Sequence, residues 1–295
     1  MKRIAFIVNP ISGGRKKRTL PLLIREFFSR ASGYEVALYR TKCAGDAAVA
    51  AKKFADEGYN IVVATGGDGT VNEVARGLVG SPAALGVVPF GSGNGFARHL
   101  GISLKPREAL ESIRYAAPRC ADYGLINGIP FFCTAGVGFD ALVGNKFAEA
   151  GTRGIATYMQ KILSEVFTYK PEKYTITIDG KSIQRNAFLV TFANASQWGY
   201  NAHIAPTASL ADGMLDVVVV SKFPLLYAPK AGVQLLVKQI DKSHFVEIFK
   251  CRTAQLKRER EGYIHFDGEP GCLGSEVNVQ VVQAALKVMT RKDNI

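Results

Sequence analysis

The sequence predicts an α/β chain of two domains: an N-terminal doubly wound α/β domain and a C-terminal, mainly antiparallel β domain built as a sandwich or open barrel. Strand-like and helix-like segments alternate over the first 117 or so residues, each glycine-rich loop there follows an apolar run, and after Pro118 strand-like pieces succeed one another without regular helices. Alternation of that kind calls for a parallel sheet covered on both faces. Ligands of such sheets bind at the carboxyl ends of the strands, where the βα loops gather.

In order, Arg3–Val8 is a β-branched and aromatic run, followed by a helical pattern from Arg18 to Ser32. Tyr34–Arg40 alternates polar and apolar, and Gly45–Glu57 is alanine-rich at helical spacing. Asn60–Thr65 reads as a buried strand, Val71–Val79 as a helix, Ala84–Pro89 as a strand and Asn94–Leu100 as a helix start. Strand-like pieces of the second part are Asp122–Ile126, Pro130–Ala135, Tyr174–Asp179, Ala187–Ala193, Leu215–Val220, Ala254–Lys257, Tyr263–Phe266 and Val277–Val282. Helical insertions are expected around Ile155–Thr168 and Leu225–Val237, and the tail Ala285–Thr290 is expected to return to the first domain. The expected division is therefore 1–117 with 285–295, and 118–284.

The apolar fraction of 47% against 21% charged residues excludes a disordered chain or a coiled coil. A formal charge of +12 points to acidic partners, namely nucleic acid, an anionic membrane surface or a phosphorylated substrate, and equally serves solubility. Nucleic acid is not expected, because no recognisable binding module is present. Cys43, Cys120, Cys133, Cys251 and Cys272 are scattered without a C-x-x-C pair, so a disulfide framework or zinc site is not expected and a cytoplasmic location is. Apolar runs such as M-L-D-V-V-V-V are too short to cross a bilayer.

Three glycine-rich loops follow strands of the first domain: Asn9–Gly14 (N-P-I-S-G-G), Gly66–Thr70 (G-G-D-G-T) and Pro89–Arg98 (P-F-G-S-G-N-G-F-A-R). Backbone N–H groups in such turns, aided by the dipole of the following helix, form an anion cradle. None is a Walker A motif, and Phe96 stands where the dinucleotide fingerprint needs its third glycine. A single glycine loop is more often a tight turn, but three at one sheet edge point to phosphate. Arg15, Lys16, Lys17 and Arg18 could reach a polyphosphate or form a solvated helix start, while Thr70, Ser92 and Asn94 supply neutral donors. Asp68 would repel phosphate unless Mg²⁺ lay between, or it makes an Asx-turn.

At these motifs, with F-D-G-E-P at Phe266–Pro270, the chain resembles the lipid kinases of diacylglycerol kinase and sphingosine kinase type, including soluble bacterial members. The resemblance runs through essentially the whole chain and implies a nucleotide domain, a β-rich lipid-binding domain, and transfer of phosphate from ATP to a lipid hydroxyl with Mg²⁺. It implies ATP contacts at Asn9, Ser12, Gly13, Thr41, Gly66, Gly67, Asp68, Gly69, Thr70, Asn72, Ser92 and Asn94. Catalytic carboxylates are expected at Asp68, Asp267 and Glu269, with Glu269 as general base; the D-G of that motif is also a strong hairpin signal. Asp122 matches a carboxylate that joins Asp68 in a metal-water network, or is an ordinary strand-end Asp. Leu210–Met214 (L-A-D-G-M) resembles a structural metal loop with Asp212 and the carbonyls of Ser209 and Met214 as ligands, or is a simple turn.

Departures from the bacterial pattern narrow these expectations. Asn94-Gly95-Phe96 replaces an N-D-F in which a carboxylate is expected, leaving Asn94 and Arg98. The G-S-G-N loop is closer to that of sphingosine kinases, whose pattern implies that Asp140 in G-V-G-F-D-A meets a lipid head, unless it is a helix N-cap. Expected partners are ATP, a lipid substrate of diacylglycerol or long-chain-base type and a peripheral anionic membrane surface, with a homodimer as a further expectation. The protein is expected to meet the inner face of the membrane transiently from the cytoplasm. A kinase of a soluble hydroxyl such as NAD, and a nucleotide-binding regulator without activity, are the alternatives.

Overall fold

The structure is a computed structural model of the chain and describes residues 1–12, 19–29, 32–149, 165–166 and 168–291. It divides into two compact units, Met1–Asp122 with Gln283–Ile295, and Tyr123–Val282. The chain passes between them in β5 (Ala117–Ile126) and again in β15 (Glu276–Thr290).

The first unit is a parallel sheet. β1 (Lys2–Val8) lies between β2 (Tyr34–Arg40) and β3 (Ile61–Gly66), and β4 (Ala84–Pro89) follows β3. The far end of β15 adds to β4 in parallel, pairing Lys287 with Ala84 and Val288 with Leu85. Every residue of β3 and β4 is buried, the mark of strands covered on both faces. The cover is α1 (Leu20–Phe27) packed with α5 (Pro106–Tyr115), and α2 (Asp46–Asp56) packed with α3 (Asp68–Leu78); the short α4 (Gly95–His99) follows β4. In α1 the buried residues are Leu20, Ile24 and Phe27, the spacing of one helical stripe.

In the second unit β14 (Glu269–Leu273), β13 (Gly262–Phe266), β7 (Thr134–Gly138), β9 (Lys181–Ala193), β8 (Glu172–Ile178), β12 (Thr253–Lys257) and the near end of β15 pair in that order. β10 (Leu215–Ser221) pairs with β9 and β11 (Val246–Cys251), and β6 (Ile129–Phe131) with β5. All these pairings are antiparallel. Alternate residues such as Val190, Phe192, Val217 and Val219 fill one core, as a β sandwich requires. Phe188, Leu189, Val218 and Val220 point the other way into a second cluster, with Phe139 and Val143 of α6 (Phe139–Glu149) and Leu235 of α7 (Ala228–Leu236).

Several elements differ from expectation. The tail strand does not start at Ala285 but is the end of β15, and Pro130–Ala135 splits into β6 and β7. α5 was unanticipated although Pro106 opens it and Ala109, Leu110 and Ile113 share a face. β14 (E-P-G-C-L) contains proline and glycine and reads poorly as a strand, which its edge position in the β13–β14 hairpin tolerates. The insertion expected at Ile155–Thr168 lies almost wholly outside the described residues. All five cysteines are free, and burial pushes the Cys251 thiol up to about 12.

Candidate active site

In the first unit the three glycine loops leave the carboxyl ends of neighbouring strands β1, β3 and β4. The backbones of the β3 and β4 loops touch: a Cβ at Gly91 would stand 2.6 Å from the Gly67 Cα and 2.8 Å from the Asn94 Oδ1, so no other residue fits there. Asn94 adopts a left-handed conformation (φ 52°) and folds its amide back, with Oδ1 accepting from the Gly91 N–H at 3.0 Å and Nδ2 donating to the Gly91 carbonyl at 2.7 Å. Arg98 donates from Nε to the Gly93 carbonyl at 2.9 Å. From the β1 loop, Asn9 donates through Nδ2 to the Thr70 hydroxyl at 3.1 Å, while its own Oδ1 accepts from Ile11. The Ser12 hydroxyl donates to the Asn9 carbonyl. Thr41 follows β2 and donates its N–H to the Val8 carbonyl at 3.0 Å. Asn72 is buried on α3, whereas Gly69 and Ser92 are exposed. Gly13 and the basic run Arg15–Arg18 lie outside the described residues.

Asp68 has a partner that no reading of the glycine turn supplied. Its two carboxylate oxygens accept the N–H groups of Asn94 and Gly95, both at 2.7 Å, so Asp68 ties the β3 loop to the start of α4. The amino end of α4 thus already holds the Asp68 carboxylate. Glu73, at the end of the A-T-G-G-D-G-T-V-N-E stretch, accepts the Ala47 N–H at 3.0 Å and so caps α2. Asp122 is buried, and its Oδ1 accepts the Ala284 N–H at 2.7 Å, which fastens β5 to the chain's return in β15.

In the second unit, Asp267 and Gly268 form the two-residue turn of the β13–β14 hairpin, with φ of 52° and 81° and Phe266 facing Glu269. Both central residues are left-handed, as a type I′ turn demands. The Asp267 carboxylate accepts three backbone N–H groups, from Phe132 (2.8 Å), Cys133 (2.7 Å) and Thr134 (3.1 Å). Asp267 is thereby a clamp on the turn, while Glu269 stands half-buried at the start of β14.

Asp140 lies in the first turn of α6 and is buried. Its Oδ1 accepts the Ala141 N–H at 2.8 Å, and its Oδ2 accepts the Thr191 hydroxyl at 2.8 Å and faces His265 Nε2 at 2.9 Å. A Cβ at Gly136 would meet that Oδ2 at 2.8 Å and the Val190 carbonyl at 2.9 Å, so a glycine is required beneath the pair. Asp140 is therefore engaged within its own unit on both oxygens. His265, two residues before Asp267, had drawn no attention because its partner is 125 positions away.

At the Leu210–Met214 loop the Asp212 carboxylate is engaged by protein groups. Asp212 Oδ2 is 2.7 Å from the Lys250 ammonium and its Oδ1 accepts the Met214 N–H at 3.1 Å, while the Ser209 hydroxyl accepts the Ala211 N–H. Lys250 also lies 3.3 Å from Oδ1 of Asp216, its cross-strand neighbour, whose side chain is 1% exposed. Burial pushes the Asp216 carboxyl above its usual range, with Lys250 opposing. Burial works against the Lys250 charge, but Asp212 and Asp216 outweigh it and hold the ammonium above its ordinary range. A lysine thus stands against the carboxylate expected to ligate a metal. Asp216 was the legible clue, since an Asp inside L-D-V-V-V-V must find a partner. Among the described residues no group of three or more His, Cys, Asp or Glu side chains is arranged to hold a metal. At Asp68 each carboxylate oxygen accepts one backbone N–H, and a carboxylate is the donor type that Mg²⁺ takes, one or two at a time, beside substrate phosphates.

The first unit is thus doubly wound with its glycine loops stitched at one edge, and the chain continues into a β sandwich bearing a carboxylate hairpin. Comparison with known proteins supplies the family. The diacylglycerol kinase catalytic domain matches residues 3–126, and the YegS C-terminal NAD kinase beta sandwich-like domain matches residues 133–290. A diacylglycerol kinase of Bacillus subtilis is 34% identical over 283 residues, covering 92% of this chain and 91% of the relative. A diacylglycerol kinase of Staphylococcus aureus is 31% identical over 277 residues, covering 92% and 87%. The crystal structure of a diacylglycerol kinase from Bacillus anthracis superposes with a TM-score of 0.77 at 22% identity, covering 100% of this chain and 98% of that one, and so shares its fold. The chain belongs to the diacylglycerol kinase family and is a lipid kinase, an enzyme with an alcohol group as acceptor.

Proposed function

We propose that this enzyme transfers the γ-phosphoryl group of ATP, as its magnesium complex, to the free hydroxyl of a diacylglycerol at the inner face of the membrane. The observation that carries the reading is the meeting of the β1, β3 and β4 loops at the carboxyl edge of the parallel sheet, in a chain about a third identical to relatives named diacylglycerol kinase. In this reading the loop residues Asn9, Ser12, Gly13, Gly66, Gly67, Gly69 and Thr70, with Thr41, Asn72, Ser92 and Asn94, surround the nucleotide. Asp68 fixes the β3 and β4 loops against each other, and its carboxylate would hold Mg²⁺, which when bound neutralises phosphate charge. Asp267 holds the hairpin so that Glu269, the neighbouring carboxylate, accepts the acceptor hydroxyl's proton. A diacylglycerol is favoured over a long-chain amino alcohol because Asp140, the carboxylate that would meet an amino head, is already bound by Thr191 and His265.

The test is purified protein with Mg²⁺ and labelled ATP against micelles of diacylglycerol, monoacylglycerol, sphingosine, ceramide and undecaprenol, with NAD in parallel. Phosphorylation of diacylglycerol is expected. Label confined to NADP or to a sphingoid base would overturn the substrate assignment. Glu269→Gln is expected to lower turnover about 10²–10⁴-fold while ATP binding survives; near-parental turnover removes Glu269 from the base role.

A further inference from the structure

The segment from Lys222 to His244 turns its apolar residues the wrong way for a water-facing element. α7 packs Ala231 and Leu235 against the sandwich. Its opposite stripe is also apolar: Leu226 is 96% exposed, Val233 58% and Leu236 59%, with Leu225, Pro229 and Val237 exposed beside them. Positions 229, 233 and 236 of α7 recur at the three- and four-residue spacing of one helical face, and Leu226 stands in the 3₁₀ turn Leu225–Tyr227 that leads into it. Lys230 and Gln234 are the polar side chains of α7, and an apolar face on the side away from the core belongs against a partner. Around this stripe stand Lys222, Lys230, Lys238 and Lys242, all exposed, with Asp241 the sole exposed acidic residue of the segment. Lys230 lies 5.4 Å from the centre of the Tyr227 ring, an amphipathic side chain of the kind found at bilayer interfaces.

We propose that Leu225–Val237 is the membrane-docking surface of this enzyme, laying its leucine and valine stripe into the headgroup boundary of an anionic bilayer while the four lysines meet lipid phosphates. The proposal rests on the lipid-kinase reading, and charge complementarity selects the occupant. Two copies of the chain apposed on this stripe would bring their lysines together with almost no acidic partner, whereas an anionic bilayer matches both the charge and the apolar stripe. Docking at this surface would bring the enzyme to the phase in which its substrate is dissolved.

The experiment is co-sedimentation of the full chain with vesicles of phosphatidylcholine alone and of phosphatidylcholine with phosphatidylglycerol, for the parent, Leu226→Glu/Leu236→Glu and Lys230→Glu/Lys238→Glu. The parent is expected on the anionic vesicles, less so as salt rises. Each double variant should bind them at least about tenfold more weakly. All substituted residues are exposed, so circular dichroism should be unchanged, as should turnover of a short-chain, water-soluble diacylglycerol without vesicles. Parental binding by both variants, or no binding by the parent, overturns the proposal. So does a switch from dimer to monomer in the leucine variant with vesicle binding intact, which would make the stripe a contact between copies. Loss of diacylglycerol turnover in every protein, with the vesicle pattern as expected, would instead count against the substrate assignment and leave the docking surface standing.

Discussion

Lys250→Met removes the cation that two carboxylates share and leaves Asp216 buried without it. At 2.7 Å and 3.3 Å the two attractions are each worth ~5–6 kcal/mol at an effective dielectric constant of about 20, before desolvation is charged against them. Breaking one side of a buried pair costs about 3–5 kcal/mol, and the Lys250 side chain is 42% exposed, so water replaces part of what is lost. The expected destabilisation is therefore ~2–3 kcal/mol, or about 5–10 °C in melting temperature. Its pH dependence has a definite sign. Burial raises the Asp216 pKa in the folded protein, so between the unfolded and folded values the folded form keeps a proton that the unfolded form releases. Removing Lys250 raises that pKa further, so the variant's deficit should be small while Asp216 is protonated in both folded proteins, grow between the parent's folded pKa and the variant's higher one, and then level off. The assay is thermal unfolding of parent and variant, without nucleotide, at pH 5 and pH 8. Calcium or magnesium should restore the variant by occupying the vacated carboxylates, while leaving the parent unchanged. Equal melting at both pH values, or an equal gain from metal in the parent, would refute the reasoning.

Asp68→Asn retains one acceptor for two N–H groups, so it should cost ~1–2 kcal/mol in urea unfolding and weaken ATP binding in calorimetry; parental values for both would reduce Asp68 to a turn residue. Asp267→Ala strips three backbone donors of their acceptor and should destabilise by ~2–4 kcal/mol, with turnover falling even at temperatures where the variant is fully folded. Gly136→Ala should lose at least ~2 kcal/mol, because its Cβ would stand 2.8 Å from Asp140 and 2.9 Å from a backbone carbonyl that has little room to move. Stability like that of the parent would show that the Asp140–His265 pair can shift aside.

Which of these features could be read beforehand depended on how local their causes are. The first unit was legible because strands buried on both faces read as unbroken apolar runs, and each was followed by glycine and then helical spacing. The Asp267-Gly268 turn was legible for the same reason, since the two residues carry the whole signal. The role of Asp68 was not, because its partners lie 26 and 27 positions on and meet it only when β3 and β4 align. Lys250 was hidden by register: nothing in K-C-R-T says that it faces Asp216 until β10 and β11 pair. Likewise the L-A-D-G-M pattern says nothing of Lys250, which reaches Asp212 from the strand beside the loop.

The path of β15 has a consequence for biosynthesis. The first unit needs residues 283 onward, and the β4 edge gains its partner only from Lys287 and Val288. On the ribosome, those residues emerge after the entire second unit has been made. The nucleotide half, although encoded first, is completed last, and its β4 edge waits open through some two hundred codons of translation. A nascent chain of this kind is exposed to edge-to-edge association for as long as synthesis lasts. Slow elongation over residues 90–280 should therefore lower the yield of folded enzyme, even though the order of the finished strands never changes.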